Sequence, residues 1–227
     1  DIASIDSISE FEDKIRKDIN KRNLSGIEIP ILVDNYVRDK FYNHYSSMRW
    51  HNNWTLSLVD LLAPDYFLMG YMEPGEILRF DHAICNQQAI VFQTVVGNLG
   101  FDYGSIRFTG SDFGHFTSAV KVDNQWYYFD PNLEPEYDRT DPRIFQDIIS
   151  ADKQTLTNIY GNRFGDFHAE MVNFSDLNSF PASTGILVQG ISSFFSWYGW
   201  AIFLFPGLLV FWCKRRTKGS EQQNISN

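Results

Sequence analysis

Cys85, His115 and Asp130 occur in that order along the chain, and together they are the residue types of a nucleophile, a proton shuttle and an orienting carboxylate. A thiolate attacks a carbonyl carbon and an imidazole carries the proton. A carboxylate behind the imidazole fixes its tautomer and stabilises the imidazolium. The chemistry of such a set is acyl transfer: attack on an amide or ester carbonyl gives a thioester, which water (hydrolase) or an amine (transferase) resolves, with the histidine moving the proton in both halves. Each residue alone has a plainer use. A lone cysteine is often a small buried hydrophobe, a strand histidine often lies on the surface, and Asp130 before Pro131 reads as a strand-end turn residue. The weight lies in the combination.

The elements around these residues decide whether they can meet. Ala89, Ile90, Phe92, Val95, Val96 and Leu99 recur at helical spacing, predicting a helix with Asp81 as its N-cap and a stop at Gly97–Gly100. Cys85 then lies in the first turn. Unpaired N–H groups and the helix dipole favour a thiolate there, and the Cys85 backbone N–H is offered to a developing oxyanion. Strand-like runs follow at Tyr103–Thr109, His115–Val122 and Gln125–Asp130, the last two joined by the tight-turn pair Asp123–Asn124. A two-residue turn sets Val122 opposite Gln125, Asp130 opposite Thr117 and His115 opposite Asn132. Residues 115, 117, 130 and 132 then share one face. His115 and Asp130 become diagonal neighbours, about 7–8 Å apart at the backbone and within side-chain reach, and a slip of two residues would set them directly opposite. Helix first, then antiparallel strands, is an α+β arrangement.

Upstream, Ile2, Ile5, Ile8, Phe11, Ile15 and Ile19 predict an amphipathic helix of about twenty residues, broken by Lys21, Arg22, Asn23 and Ser25–Gly26. A second helical pattern follows Pro30, with Ile31, Leu32, Tyr36, Val37, Phe41 and Tyr45 on one face. Trp50 to Tyr71 is aromatic and irregular, punctuated by Pro64, and Pro74 and Gly75 follow.

The runs Cys85-Asn86-Gln87-Gln88-Ala89-Ile90-Val91-Phe92, Leu99-Gly100-Phe101, Gly114-His115-Phe116 and Gln125-Trp126-Tyr127-Tyr128-Phe129-Asp130-Pro131 resemble the core of the transglutaminase-like superfamily. That pattern has a cysteine at a helix start, a Leu-Gly ending the helix, a histidine on a strand and a Trp-x-x-x-Asp on the next. The resemblance covers roughly residues 80–135. It implies a papain-like fold with N-terminal helices, a catalytic cysteine on a helix start and an antiparallel sheet. It assigns Cys85 as nucleophile, His115 as base and acid, and Asp130 as orienter. Ala83 stands where many members have glycine two residues before the cysteine. The second oxyanion donor in the family is usually a side chain upstream of the cysteine. Trp50, Asn53 and Trp54 are the candidates here, with aromatic core packing as their alternative use. Gln87 and Gln88 are expected to cap or line the helix start. No calcium-site or β-sandwich domain of the large crosslinking enzymes is matched.

From Leu177 to Cys213 no residue is charged, and Gly185 to Trp212 is long and apolar enough for a hydrocarbon core of about 30 Å. Lys214, Arg215, Arg216 and Lys218 follow at once, marking a cytoplasmic end. The expected organisation is an extracytoplasmic domain over 1–182, a transmembrane helix over 183–213 and a cytoplasmic tail over 214–227. Membrane lipid is then a partner through residues 185–212. Small residues Gly185, Gly190, Ser193, Ser196 and Gly199 suit packing against a partner membrane protein. The chain opens at Asp1, which a removed signal peptide or a trimmed start would each produce.

Composition closes off other classes. The chain has 227 residues and a net charge of −9, one globular domain with an appendage. It has no basic patch interleaved with aromatics, so nucleic acid is not an expected partner. Cys85 and Cys213 lie on opposite sides of the apolar run and cannot pair across a bilayer. His82 and Cys85 form an H-x-x-C pair with no second such pair, so neither zinc nor another cofactor is expected. Glu134, Glu136, Asp138 and Asp141 form an acidic stretch, a solvated turn or else a rim selecting cationic substrates. Asn23, Asn53 and Asn173 begin N-x-[ST] sequons. The expected function is a membrane-anchored thiol acyl-transfer enzyme acting on peptide or protein substrates of the cell envelope. Two rivals stand beside it: a non-catalytic docking subunit of a membrane complex, and a purely structural anchor.

Overall fold

The computed structural model describes residues 2–62, 68–109, 114–132, 146 and 171–224. In chain order the elements used below are α1 (Ile8–Arg22), α2 (Glu28–Lys40), α3 (Trp54–Leu62), α4 (Pro74–Leu78), α5 (Cys85–Asn98), β1 (Asp102–Thr109), β2 (Gly114–Val122), β3 (Gln125–Phe129), β4 (Met171–Phe174) and α6 (Ser183–Asn224). They fall into two compact units. One comprises Asp1–Ser47 with Gly70–Ser183, the other Met48–Met69 with Thr184–Asn227.

In the first unit, Ser7 caps α1 by accepting from the Glu10 N–H, and Asn23 closes the helix in the left-handed region at φ 54°. Phe11 and Ile15 are buried on one face of α1, and Leu32, Tyr36 and Val37 on α2, as the apolar spacing predicts; Val33 is buried as well, and Phe41 and Tyr45 lie past the end of α2. The Tyr36 hydroxyl and the Lys14 ammonium both donate to Asp18. Those two donors hold the Asp18 carboxyl down at about 2.

α5 is the central helix. Gln87, Gln88, Ala89, Ile90, Val91, Phe92, Gln93, Val95 and Val96 are all buried. Its polar residues are used to fasten it. Gln93 donates to Ser118 Oγ at 2.9 Å and accepts from Ser105 Oγ at 3.0 Å, tying the helix to β1 and β2 at once. Gln87 donates to the carbonyls of Ser46 and Tyr71 and accepts from the Ser46 N–H. Asp81 does not cap α5. The Asp81–Ala83 segment is held extended by two backbone bonds with Tyr42, so the helix begins only after Ile84, whose N–H is taken by Gln87 Oε1 at 3.3 Å. Gly100, at φ 92°, provides the left-handed residue that ends the helix and turns the chain into β1.

The sheet is antiparallel in the order β3-β2-β1-β4. Asp123 and Asn124 both have positive φ, 50° and 65°, the two-residue turn that matches strand twist. The register it sets pairs Val122 with Gln125 and Ser118 with Phe129, as the turn requires. β4 pairs with β1, Ile106 opposite Phe174. Sequence periodicity gave no sign of β4, which is four residues long.

In the second unit, α6 contains one stretch, Ser183–Trp212, long and apolar enough to cross a membrane, and almost none of it is covered by the rest of the chain. The segment read as irregular from sequence holds α3. Asn53 caps it, its Oδ1 accepting from the Leu56 N–H at 3.1 Å.

Candidate active site

His115 and Asp130 meet inside the protein. His115 Nε2 lies 2.6 Å from Asp130 Oδ2, and each side chain is 1% exposed. The carboxylate has two further donors, and the Asp130 backbone a third. The Tyr128 hydroxyl donates to Oδ2 at 3.2 Å, the Asn132 N–H donates to Oδ1 at 3.2 Å, and Arg38 Nη2 donates to the Asp130 carbonyl at 2.5 Å. Arg38 itself is buried, with Nε on Asp34 Oδ2 at 2.8 Å along α2. The imidazole lies against Phe108, with ring centroids 6.3 Å apart and planes 18° apart, and Phe108 meets Tyr128 edge-on. These rings keep water from the His–Asp contact.

Cys85 opens α5 and is partly exposed, and its side chain is among the groups that raise the His115 imidazole. Burial pulls the imidazolium down, but the charge and hydrogen bond of Asp130, followed by those of Cys85, outweigh it and push His115 up to about 10. The histidine is therefore a proton holder over the whole neutral range. A buried carboxylate, a charged imidazole and a thiol at a helix N-terminus form the arrangement from which a thiolate attacks a carbonyl. The first-turn N–H of Cys85 has no intrahelical acceptor and is available to an oxyanion.

All three upstream oxyanion candidates lie in the other unit. Asn53 is fully buried, and its Nδ2 donates to Ser192 Oγ at 2.7 Å and Ser193 Oγ at 3.0 Å. The Trp54 indole N–H donates to the Ser196 carbonyl at 3.0 Å. Trp50 is 59% exposed. The donors of Asn53 and Trp54 are thus engaged by α6. The acidic stretch at Glu134, Glu136, Asp138 and Asp141 lies outside the described residues. Sequence reasoning missed Arg38 and Tyr128. Tyr128 stands two residues before Asp130 on the same strand face, so the alternation that paired His115 with Asp130 could have found it. Arg38 left no signal, being 92 residues from Asp130 in the chain.

A central helix opening with cysteine, beside an antiparallel sheet that carries histidine and aspartate on adjacent strand ends, defines an α+β domain of the papain-like, transglutaminase-like class. The chain belongs to the transglutaminase-like domain family, whose model matches residues 1–142, a family of papain-like cysteine enzymes. Among solved structures it is similar to one described as the crystal structure of a TGase, at 14% identity and a TM-score of 0.37, over 55% of this chain and 31% of that one. The chain thus spans about a third of that structure's length. No curated protein matches it.

Proposed function

We propose that the chain is a membrane-anchored cysteine acyl-transfer enzyme. Cys85 attacks an amide or ester carbonyl of a peptide or protein substrate and forms a thioester. Cys85 reacts as the thiolate, its proton already held by His115; the imidazolium gives that proton to the leaving group, and Asp130 holds the ring and the charge. The carbonyl oxygen, as it becomes an oxyanion, receives the Cys85 N–H. Water or an amine then releases the acyl group by the reverse proton path. The observation that carries this reading is the buried 2.6 Å His115–Asp130 contact in a domain whose central helix opens with Cys85.

The anchor in this reading is the Ser183–Trp212 stretch, followed by Lys214, Arg215 and Arg216. A basic flank favours the cytoplasmic side, so the site would face outward and its substrates would be envelope peptides or proteins. The test is covalent trapping on the full chain in detergent. An acyl adduct on Cys85 that is absent in Cys85→Ala supports the reading. Alkylation of Cys85 by iodoacetamide at neutral pH no faster than that of free cysteine counts against it.

A further inference from the structure

α3 carries an apolar stripe that the described residues leave largely exposed. Trp54, Leu58, Val59, Leu61 and Leu62 are 38–77% exposed. At about 100° per residue they fall on one side of the helix, and Asp60, the one charged residue of α3, falls on the opposite side. Five large apolar side chains on nine residues are a costly surface to leave in water.

The start of α3 is fixed to a defined height on α6. Asn53 donates to Ser192 and Ser193 and accepts from Ser196 Oγ at 2.9 Å. Thr55 Oγ1 donates to the Ser192 carbonyl at 2.6 Å, and its N–H donates to Ser196 Oγ at 3.1 Å. Within the apolar stretch, Ser196 lies about 24 Å and Ser192 about 30 Å along the helix from Trp212, at 1.5 Å per residue. With a hydrocarbon core of about 30 Å, this junction sits at the shallow edge of one leaflet, the one at the Ser183 end. Its polar groups satisfy one another, as an apolar setting demands.

We propose that α3 is a second membrane-binding element, a short helix inserted in the leaflet at the Ser183 end of the span, with Leu58, Leu61 and Leu62 among the acyl chains and Asp60 turned away from them. This rests on the reading of Ser183–Trp212 as a membrane span. The occupant of the stripe is lipid because α3 is bonded to the apolar stretch itself, at a depth where the alternative to lipid is the headgroup boundary.

The experiment uses the full chain in phosphatidylcholine vesicles, with Cys85 and Cys213 replaced by serine. A single nitrobenzoxadiazole label is placed at Leu61→Cys, at Leu62→Cys or, on the span, at Leu204→Cys. Labels on Leu61 and Leu62 are expected to emit blue-shifted, to lose about half or more of their emission when the vesicles carry shallow spin-labelled lipid, and to resist aqueous iodide. A Leu204 label quenched by lipid alongside Leu61 and Leu62 labels quenched by iodide overturns the inference and leaves the span intact. Blue-shifted Leu61 and Leu62 labels that neither quencher reaches mean a protein partner or a second copy, which also overturns it. A Leu204 label quenched by iodide removes the span, and the inference with it.

Discussion

The Arg38 guanidinium, buried on α2, donates at 2.5 Å to the backbone carbonyl of Asp130 while Asp34 holds its Nε at 2.8 Å. An ion pair one helical turn long thereby fixes the strand-end residue whose side chain orients His115. Removing the cation takes from Asp34 its guanidinium partner at 2.8 Å and from the Asp130 carbonyl its donor at 2.5 Å. Arg38→Ala is expected to cost about 3–5 kcal/mol, read as a lower urea midpoint. Arg38→Lys, which keeps the charge and loses the second contact, should fall between Arg38→Ala and wild type.

Asp130→Asn keeps the shape of the pair and removes its charge. The imidazolium loses its main stabilisation, and the ring can take the wrong tautomer. Acyl-adduct formation on Cys85 is expected to slow by about 10²–10⁴-fold with the fold intact, measured by single-turnover trapping beside circular dichroism.

The His115 pair also predicts a pH profile. Its imidazole is raised from 6.5 to about 10 in the folded protein, so folding favours the protonated form. The stability it contributes is full below about pH 6.5, declines above that, and is gone once the pH passes about 10. The difference in urea midpoint between wild type and His115→Gln should therefore shrink from pH 6.5 to 10. Adduct formation should hold its plateau beyond neutral pH and fall only as the pH nears 10.

Tyr128→Phe deletes one donor to the Asp130 carboxylate and leaves the core volume nearly unchanged. The expected loss is about 1–2 kcal/mol of stability, together with a downward shift in the alkaline limb of the rate profile. An unshifted limb would show that the hydroxyl has no part in holding the charge.

Gln93→Leu tests how α5 is fastened. It strands the hydroxyls of Ser105 and Ser118, both buried, at about 1–3 kcal/mol in total. If the serines lose their partner but the sheet still packs, thermal unfolding shifts down while the thiol keeps its reactivity.

Much of the site was legible from the chain because it is built from local rules. A two-residue turn at Asp123–Asn124 sets the β2–β3 register, and the register puts His115 and Asp130 within reach of each other. Apolar spacing located α5 closely enough to put Cys85 in its first turn, though it misjudged the cap, because the bonds from Tyr42 that hold Asp81–Ala83 extended come from a distant part of the chain. The apolar stretch of α6 is likewise a matter of composition. What the tertiary structure alone decided are the closures between segments far apart in sequence. Arg38 reaches Asp130 across 92 residues, and Asn53, one of three oxyanion candidates, donates to Ser192 across 139 residues. Periodicity reports which face of an element is apolar. It carries no information on which distant partner a buried donor will find, since that depends on how helices and sheet pack to bury their polar atoms without leaving them unpaired.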